Sequence, residues 1–212
     1  MTDYSVEIQN LVQYFGRRLI FENINFTLSA GSIVGISGPN GSGKSTLVKI
    51  IADLISPTKG KVIHKNSGGI ITSELLHNHL GFVSPYLILY DEFTAEENLN
   101  HSANIRGIKF NKEKSDYLLS ELNLYDRRAD LVRGYSSGMK QRLKFIFALL
   151  HQPELIILDE PTSNLDNTGK DKVYRLIETE GKENLVIVAS NEDSDISLCS
   201  QVIELEKFKK NN

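Results

Sequence analysis

The sequence lacks several features by which other classes of protein are recognised. It has a single cysteine, Cys199, among 212 residues, so no disulfide can form within the chain, as is usual in a reducing compartment. It has no tryptophan. No apolar run approaches the ~20 residues that a membrane-spanning helix needs. We therefore expect a soluble, cytoplasmic protein whose role at a membrane, if it has one, depends on a partner.

The chain also has no excess of positive charge. Its formal net charge is −3, from 24 Lys and Arg residues against 27 Asp and Glu residues. A dedicated nucleic-acid-binding protein is normally basic, so we predict no nucleic-acid partner. Met1 to Ser5 have neither the basic nor the apolar region of a signal peptide. The length suits one sizeable α/β domain.

What the sequence does have is a glycine-rich phosphate-binding motif. A P-loop of the form G-x-x-x-x-G-K-S follows an apolar, β-branched segment, Ile33 to Ser37, and precedes Leu47 to Leu54, where apolar residues have helical spacing. A strand, a glycine loop and a helix are the context that this motif needs. The predicted nucleotide-binding residues of the loop are Gly38, Pro39, Asn40, Gly41, Ser42, Gly43, Lys44, Ser45 and Thr46.

The residue types of the loop explain why it would bind phosphate. Glycines let the backbone wrap tightly with its N–H groups turned inward, and a helix that begins near Lys44 adds the positive end of its dipole. Lys44 supplies a positive charge for the β- and γ-phosphates. The Ser45 hydroxyl is a suitable ligand for Mg²⁺. The loop alone therefore predicts a phosphate site with a bound Mg²⁺.

A pair of acidic residues follows a fully apolar segment, Leu155 to Leu158. A buried strand of this kind would deliver Asp159 to the carboxyl edge of a parallel sheet, beside the P-loop, where an aspartate can hold Mg²⁺. Glu160, one residue further on, could position a water in line with the γ-phosphate. We predict Asp159 as a metal ligand together with Ser45, and Glu160 as the catalytic base.

The order of the predicted elements gives the fold class. Strands that alternate with helices imply a mostly parallel sheet, so we predict an α/β fold of the P-loop NTPase type. Two early strands joined at Gly16 to Arg18 suggest a small N-terminal antiparallel β subdomain. Thr94 and Glu97 form a capping box that predicts a helix to about Arg106, and residues 86–133 are expected to form a helical subdomain. Asn167 to Glu180 is predicted as a later helix.

A second anion-binding helix start lies far along the chain. Tyr135 to Arg142 opens a long helix, and Ser136, Ser137 and Gly138 stand at its N-terminus. Small polar residues and a glycine at such a position favour an anion. Because one nucleotide does not need two such sites in one chain, the second suggests that the chain acts on a nucleotide held by another subunit.

Taken in order, these motifs resemble those of the nucleotide-binding subunit of ATP-binding cassette (ABC) transporters. The resemblance covers residues 5–206 and implies one ABC ATPase domain over 1–206, with a polar tail at 207–212. It implies a head-to-tail dimer around two ATP molecules, with Mg²⁺. Each ATP would lie between the P-loop of one chain and Ser136 to Gly138 of the other, and Ser163 to Asp166 would cross the interface. It also implies that Phe15 stacks on adenine.

The chain departs from the pattern of this family at several positions. Ser84 and Pro85 stand where the family usually has a glutamine that touches Mg²⁺, and Asn191 stands where it usually has a histidine. Asn191 can donate a hydrogen bond to the γ-phosphate but carries no charge. Tyr135 to Arg142 resemble the signature sequence of the family, and the helix that they open is called the signature helix. In this sequence Ser137 replaces a glycine and Met139 a glutamine. These departures argue for slow hydrolysis, whereas Glu160 argues that hydrolysis is retained.

The resemblance leaves several functions open. The first is an ATPase subunit that powers a separate integral-membrane permease from the inner face of the membrane. The short chain, in which we expect no C-terminal regulatory domain after Leu205, resembles compact exporter subunits, either haem-exporter-like or multidrug and polysaccharide efflux-like. The second is a degenerate, regulatory half of a heterodimeric ABC complex, and the third is a non-transport ABC ATPase. A homodimer and a heterodimer with another ABC subunit both remain possible.

Two histidine positions are interpreted as structural. His77 to His79 is predicted to be a solvated loop, because no cysteine or acidic cluster accompanies it. His151 follows the signature helix, where a positive charge would favour the helix dipole.

Overall fold

The computed structural model describes residues 3–209 and contains two β-sheets and seven α-helices over that range. The strands are β1 (Ser5–Phe15), β2 (Arg18–Ser29), β3 (Ser32–Ser37), β4 (Lys59–Asn66), β5 (Gly69–Ile71), β6 (Leu80–Val83), β7 (Leu155–Asp159), β8 (Leu185–Ala189) and β9 (Gln201–Glu204). The helices are α1 (Lys44–Ile51), α2 (Ser73–His79), α3 (Ala95–Ile105), α4 (Lys112–Glu121), α5 (Ser137–Leu149), α6 (Asn167–Glu180) and α7 (Asp193–Ile196).

The central sheet is parallel and five-stranded, with the order β6-β7-β8-β3-β9. Every residue of β7 and β8 is buried, which is why these strands read as continuous apolar runs. The register sets Asp159 of β7 opposite Ala189 of β8, and Ala189 opposite Ile36 of β3. Asp159 and the loop that follows β3 therefore share the carboxyl edge of the sheet, where ligands of such sheets bind.

The two faces of this sheet contribute to two separate cores. Leu155 and Ile157 of β7 pack in a core with α1 and the antiparallel sheet, which has the order β2-β1-β4-β5. Ile156 and Leu158, the alternate residues, pack in a second core with residues of α3 to α6. At Gly81, an added Cβ would lie 2.3 Å from the carbonyl oxygen of Ala148, so β6 can approach α5 closely only with glycine there. This arrangement confirms the predicted fold class.

Several local predictions are confirmed. The Thr94 hydroxyl accepts a hydrogen bond from the Glu97 N–H at 3.1 Å, and the Glu97 carboxylate accepts one from the Thr94 N–H at 2.8 Å. These two bonds form the predicted capping box at the start of α3. The bounds of α6 agree with the predicted Asn167 to Glu180. The helices α3 and α4 lie within residues 86–133, and α5 follows them.

Three predictions were wrong in detail. Leu54 was counted on the apolar face of the helix after the P-loop, but α1 ends at Ile51 and Leu54 is exposed. The predicted loop at His77 to His79 belongs to α2, and the His79 Nδ1 lies 2.6 Å from the Glu154 carboxylate. The predicted tail at 207–212 begins in a short 3₁₀ turn, and Phe208 packs partly buried against the core. Residues 210–212 of that tail lie outside the described residues.

His64 is buried and His151 is partly buried, and both are kept in the neutral state by their surroundings. Burial lowers the pKa of His64 to about 4, and the Tyr4 hydroxyl lies 2.8 Å from its Nδ1. Burial, with the nearby Arg106, also lowers the pKa of His151 to about 4, and its Nε2 donates to the Leu80 carbonyl at 3.0 Å. His151 therefore brings no positive charge to the end of α5, contrary to the prediction from the sequence.

Because the pKa values of these two histidines are lowered in the native state, we expect the fold to lose stability in mild acid. The unfolded chain binds their protons near pH 6.5, whereas the native chain binds them only near pH 4, so the native state is penalised as the pH falls through this window. We expect the free energy of unfolding to fall by up to about 1.4 kcal/mol per pH unit for each histidine. Urea titrations between pH 7.5 and 5 measure this slope.

A glutamine at position 151 supplies the matched test of the pH effect. The amide of His151→Gln can still donate to the Leu80 carbonyl but has no proton to bind in this range. The slope of stability against pH should become shallower in this variant and stay unchanged in His101→Gln, which alters an exposed histidine of α3. Equal slopes in all three proteins would contradict the prediction.

Candidate nucleotide-binding and catalytic site

The P-loop is built around two glycines that no other residue could replace without strain. Gly43 has φ 108°, and an added Cβ would lie 2.5 Å from the Ile20 Cγ2. Gly38 has φ 150°, and an added Cβ would lie 2.7 Å from the Ser42 hydroxyl. Gly43 is also the N-cap of α1, and it brings no side-chain oxygen to the first-turn N–H groups. The start of α1 is therefore suited to an anion.

The ammonium of Lys44 lies at the centre of the loop. Lys44 is buried, and its Nζ donates to the Gly38 carbonyl at 2.8 Å. The same Nζ lies 3.6 Å from the Glu160 Oε1, at the carboxyl edge of the sheet. The ammonium is thereby held between the phosphate-binding loop and Glu160, the first residue after β7.

The predicted metal ligands lie side by side. The Ser45 hydroxyl donates to the Asp159 Oδ1 at 2.9 Å. The other carboxylate oxygen, Oδ2, is buried without a hydrogen-bond partner among the described residues. Burial raises the pKa of Asp159, and the Ser45 hydrogen bond opposes this shift. A carboxylate and a hydroxyl oxygen in contact are the hard ligands that Mg²⁺ takes, and the unpartnered oxygen fits a cation at this place.

Glu160 is held in an unusual backbone conformation. Its φ is 50°, in the left-handed region that a residue with a side chain rarely adopts. The Glu160 N–H donates to the Ala189 carbonyl at 2.8 Å, and its carboxylate lies 3.3 Å from the Ser190 hydroxyl. Burial raises the pKa of Glu160, while the positive charge of Lys44 opposes that shift. The turn thus projects the Glu160 carboxylate towards the P-loop, and burial there raises the affinity of this carboxylate for a proton.

A cavity of about 370 Å³ joins these groups. Phe15, predicted to stack on adenine, is half-exposed on its wall. Of the predicted residues, Gly38, Pro39 and Asn191 do not line it, although the Asn191 amide donates to the Asn40 side chain at 3.3 Å. The lining residues are Phe15, Arg18, Ile20, Asn40, Gly41, Ser42, Gly43, Lys44, Ser45, Thr46, Pro85, Tyr86, Asp159 and Glu160.

The second predicted anion site lies on a different cavity. Ser136 is the N-cap of α5, and its hydroxyl accepts a hydrogen bond from the Met139 N–H at 3.2 Å. Ser137 is exposed and lines a cavity of about 330 Å³ together with Ser163 and Asn164. Among the described residues, the two cavities share only Pro85. A single chain therefore does not bring Ser136 to Gly138 to its own P-loop.

The loop that replaces the family's glutamine is fixed by a buried lysine. The Ser84 hydroxyl accepts from the Tyr86 N–H at 3.2 Å and does not line the nucleotide cavity. Lys144 of α5 is buried, and its Nζ donates to the carbonyls of Ser84 and Pro85 at 3.2 and 2.9 Å. Burial lowers the pKa of Lys144. This residue was missed from the sequence, although its spacing from Gln141 and Ala148 places it on the buried face of α5.

Removing the ammonium of Lys144 should loosen the loop without unfolding the domain. Lys144→Met keeps an unbranched stem but leaves the Ser84 and Pro85 carbonyls without their shared donor. We expect a loss of about 1–3 kcal/mol in the free energy of unfolding, from urea titration, and faster amide exchange at residues 84–91. Lys140→Met, which removes a partly exposed ion pair with Asp91, should cost less than about 1 kcal/mol. Equal losses would contradict a special role for Lys144.

Comparison with known proteins identifies the family. The family described as "ABC transporter" matches residues 21–163 of the chain. An uncharacterized ABC transporter ATP-binding protein of Bacillus subtilis, YdbJ, is 34% identical over 98% of this chain and 68% of its own length. The lantibiotic transport ATP-binding protein SrtF of Streptococcus pyogenes is 33% identical over 88% of this chain and 79% of its own length. The chain belongs to the ABC transporter ATP-binding family.

The relatives are longer than this chain, and solved structures share its fold. The chain spans 58% of the B. subtilis relative YcbN and 61% of the bacitracin transport ATP-binding protein BcrA of Bacillus licheniformis, to which it is 34% and 35% identical. A putative ABC transporter ATP-binding protein from Pyrococcus furiosus aligns with a TM-score of 0.81 and 27% identity, over 97% of this chain and all of its own. The ATP-bound structure of a bacterial Atm1-family exporter shows the same fold, with a TM-score of 0.82.

Proposed function

We propose that this chain binds and hydrolyses ATP to power a separate integral-membrane permease, with export as its direction. One observation carries the proposal: Lys44, Ser45, Asp159 and Glu160, from two distant parts of the sequence, meet in one cavity at the carboxyl edge of the sheet. These are the residue types that phosphoryl transfer needs for charge neutralisation, metal binding and activation of water.

Each of these residues has a distinct task in hydrolysis. The P-loop N–H groups and Lys44 bind the β- and γ-phosphates and hold the γ-phosphorus in place. Ser45 and Asp159 would hold Mg²⁺, which supplies neutralisation of the negative charge that develops on the phosphates. Glu160 accepts a proton from the attacking water. As the water oxygen bonds to the γ-phosphorus, the bond to the β–γ bridging oxygen breaks and ADP leaves with that electron pair.

The site is completed by a second chain. Ser136 to Gly138, at the start of α5, would supply a further set of N–H groups for the γ-phosphate. In one chain none of them lines the nucleotide cavity, and Ser137 lines a different one. A head-to-tail dimer, of two copies or of this chain with another ABC subunit, would place them over the P-loop of the partner. The loop Ser163 to Asp166 lines the same cavity as Ser137 through its first two residues, and so belongs to the proposed interface.

Two residues at the edge of the cavity have secondary tasks. Phe15 is 54% exposed at the end of β1, which leaves a ring face for the adenine. Asn191 touches the P-loop through Asn40 and would donate a hydrogen bond to the γ-phosphate. An amide is a weaker partner of phosphate than a charged histidine, so turnover is expected to be slow.

The membrane partner is inferred from two facts. Among residues 3–209, no helix has the length and apolar character to cross a bilayer. The relatives SrtF and BcrA are named as lantibiotic and bacitracin transport ATP-binding proteins. A chain of this family would therefore act at the cytoplasmic face of the membrane, attached through its permease.

The second candidate is an ATP-binding regulatory half of a heterodimer. Two departures favour it: Pro85 lines the cavity where the family's glutamine would touch Mg²⁺, and Asn191 replaces a histidine. The presence of Glu160 beside Lys44 argues against it.

Purification from native membranes in mild detergent tests the proposal. An affinity-tagged chain should retain an integral-membrane protein in constant ratio, and the complex should turn over ATP in a manner that depends on Glu160. The regulatory alternative predicts the same membrane protein together with another ABC subunit, and turnover that survives Glu160→Gln in this chain. A tagged chain that retains no membrane protein would contradict both.

A further inference from the structure

Asp195 lies at the centre of a buried hydrogen-bond network beside Glu160. Asp195 belongs to α7 and is 1% exposed. Its Oδ1 accepts hydrogen bonds from the Thr162 hydroxyl and the Tyr174 hydroxyl, both at 2.9 Å. Its Oδ2 accepts one from the Ser190 hydroxyl at 2.7 Å. One carboxylate therefore joins the turn after Glu160, the helix α6 and the end of β8.

We propose that Asp195 is a positioning residue for Glu160, which holds the hydroxyl of Ser190 and the turn at Thr162 so that the Glu160 carboxylate stays free to receive a proton from water. This inference rests on the proposed function, because it takes Glu160 as the base.

The hydroxyl proton of Ser190 points to Asp195 and not to Glu160. Ser190 has one hydroxyl proton and two carboxylates within reach, the Asp195 Oδ2 at 2.7 Å and the Glu160 Oε2 at 3.3 Å. O–H···O hydrogen bonds normally have lengths of about 2.5–3.0 Å, so the proton points to Asp195. The Ser190 oxygen itself accepts from the Glu192 N–H at 3.1 Å. With Asp195 in place, the Ser190 hydroxyl does not occupy the carboxylate of Glu160.

Contacts around Glu160 hold its backbone in place. Its left-handed conformation costs energy and must be held by its surroundings. The Ala189 carbonyl binds the Glu160 N–H, and the Gln141 side chain donates to the Pro161 carbonyl at 3.0 Å. The bond from Thr162 to Asp195 completes this set, immediately before the loop that would cross the dimer interface. Asp195 thus connects that loop with the groups around Glu160.

An asparagine at position 195 would reverse the Ser190 hydroxyl. The amide of asparagine has only one acceptor oxygen. Because the hydroxyls of Thr162 and Tyr174 both donate at the position of Oδ1, the amide oxygen takes that position. The NH₂ group then faces Ser190 and donates to its oxygen, so the Ser190 proton turns to the Glu160 Oε2. The base would be engaged by this hydrogen bond on one oxygen and by Lys44 on the other, in competition with the attacking water.

The test is a comparison of kcat and KM for ATP in the full chain, with its membrane partner where one co-purifies. Asp195→Asn should lower kcat at least tenfold and leave KM within twofold. Adding Ser190→Ala to this variant removes the competing hydroxyl and should raise kcat at least threefold above that of Asp195→Asn. Tyr174→Phe removes one of the two donors to the Asp195 Oδ1, leaves the bond between Oδ2 and Ser190 in place, and is the matched control, with kcat within twofold of the wild type.

A double variant as slow as Asp195→Asn, or slower, would overturn the inference, because a merely structural role gives no recovery when a second contact is removed. If Asp195→Asn does not fold, Ser190→Ala alone decides: a loss of kcat of less than threefold supports the inference, and any larger loss means that the hydroxyl serves Glu160 directly and overturns it. A wild-type chain without Glu160-dependent turnover refutes the proposed function, and this inference with it. Active wild type without recovery refutes this inference alone.

Discussion

Glu160→Gln is expected to lower the turnover number for ATP by about 100- to 10,000-fold, the usual contribution of a general base, while nucleotide binding is retained. The amide has nearly the shape of the carboxylate but cannot accept the proton of the attacking water. The proposed phosphate contacts lie on Lys44 and the P-loop, which the substitution leaves in place. Phosphate release under saturating ATP measures the turnover, and a fluorescent ATP analogue measures the binding.

An acid outside the site provides the control for this prediction. Glu96→Gln changes a carboxylate that pairs with the exposed Lys112, away from the nucleotide cavity, and should leave turnover within about twofold, because ion pairs at the surface contribute little. Turnover in Glu160→Gln that equals the wild-type value would refute the assignment of Glu160 as the base.

Ser137→Asp is expected to lower turnover about 100-fold, because placing like charges together at an interface costs several kcal/mol. Ser137 is exposed in the first turn of α5, where an aspartate favours the helix dipole, so the variant itself should fold at least as well as the wild type. The new carboxylate would face the γ-phosphate held by the other chain. ATP binding to the P-loop of the same chain should be unaffected.

The matched control for Ser137→Asp is Ser137→Gly, which introduces the residue that the family usually has at this position. Ser137→Gly keeps the backbone N–H groups and adds no charge, so it should keep turnover within a few-fold of the wild type. Turnover that is equally high in Ser137→Asp would mean that no phosphate approaches the start of α5, and the proposed composite site would be wrong.

The parts of the site that the sequence predicted are those where local chemistry dictates local structure. A P-loop forms from its own glycines and the strand and helix beside it. An apolar run such as Leu155 to Leu158 can only be a buried strand in a domain of this size, so the position of Asp159 follows from the topology of a parallel sheet. Thr94 and Glu97 satisfy each other's backbone donors within one helical turn.

The parts that were missed depend on contacts between distant segments. α2 has mostly exposed polar residues and one buried leucine, Leu76, so its sequence carries little helical periodicity. Phe208 lies in a lysine-rich segment that we predicted to be a tail, but its side chain packs against the core. Asp195 has the sequence of an ordinary surface charge, and helical spacing alone places Lys144 on the buried face of α5. Only the fold shows the partners with which each is buried. Burial of a charge is decided by what packs over it, which the local sequence does not record.

The composite site is tested most directly by the mass of the Glu160→Gln chain in solution, measured by light scattering. This variant should bind ATP without consuming it. With ATP and Mg²⁺, the chain alone, or its mixture with an ABC subunit that co-purifies with it, should double in mass, and with ADP it should not. Adding Ser137→Asp should abolish the doubling. A mass that stays that of the monomer at saturating ATP and Mg²⁺ would contradict the account.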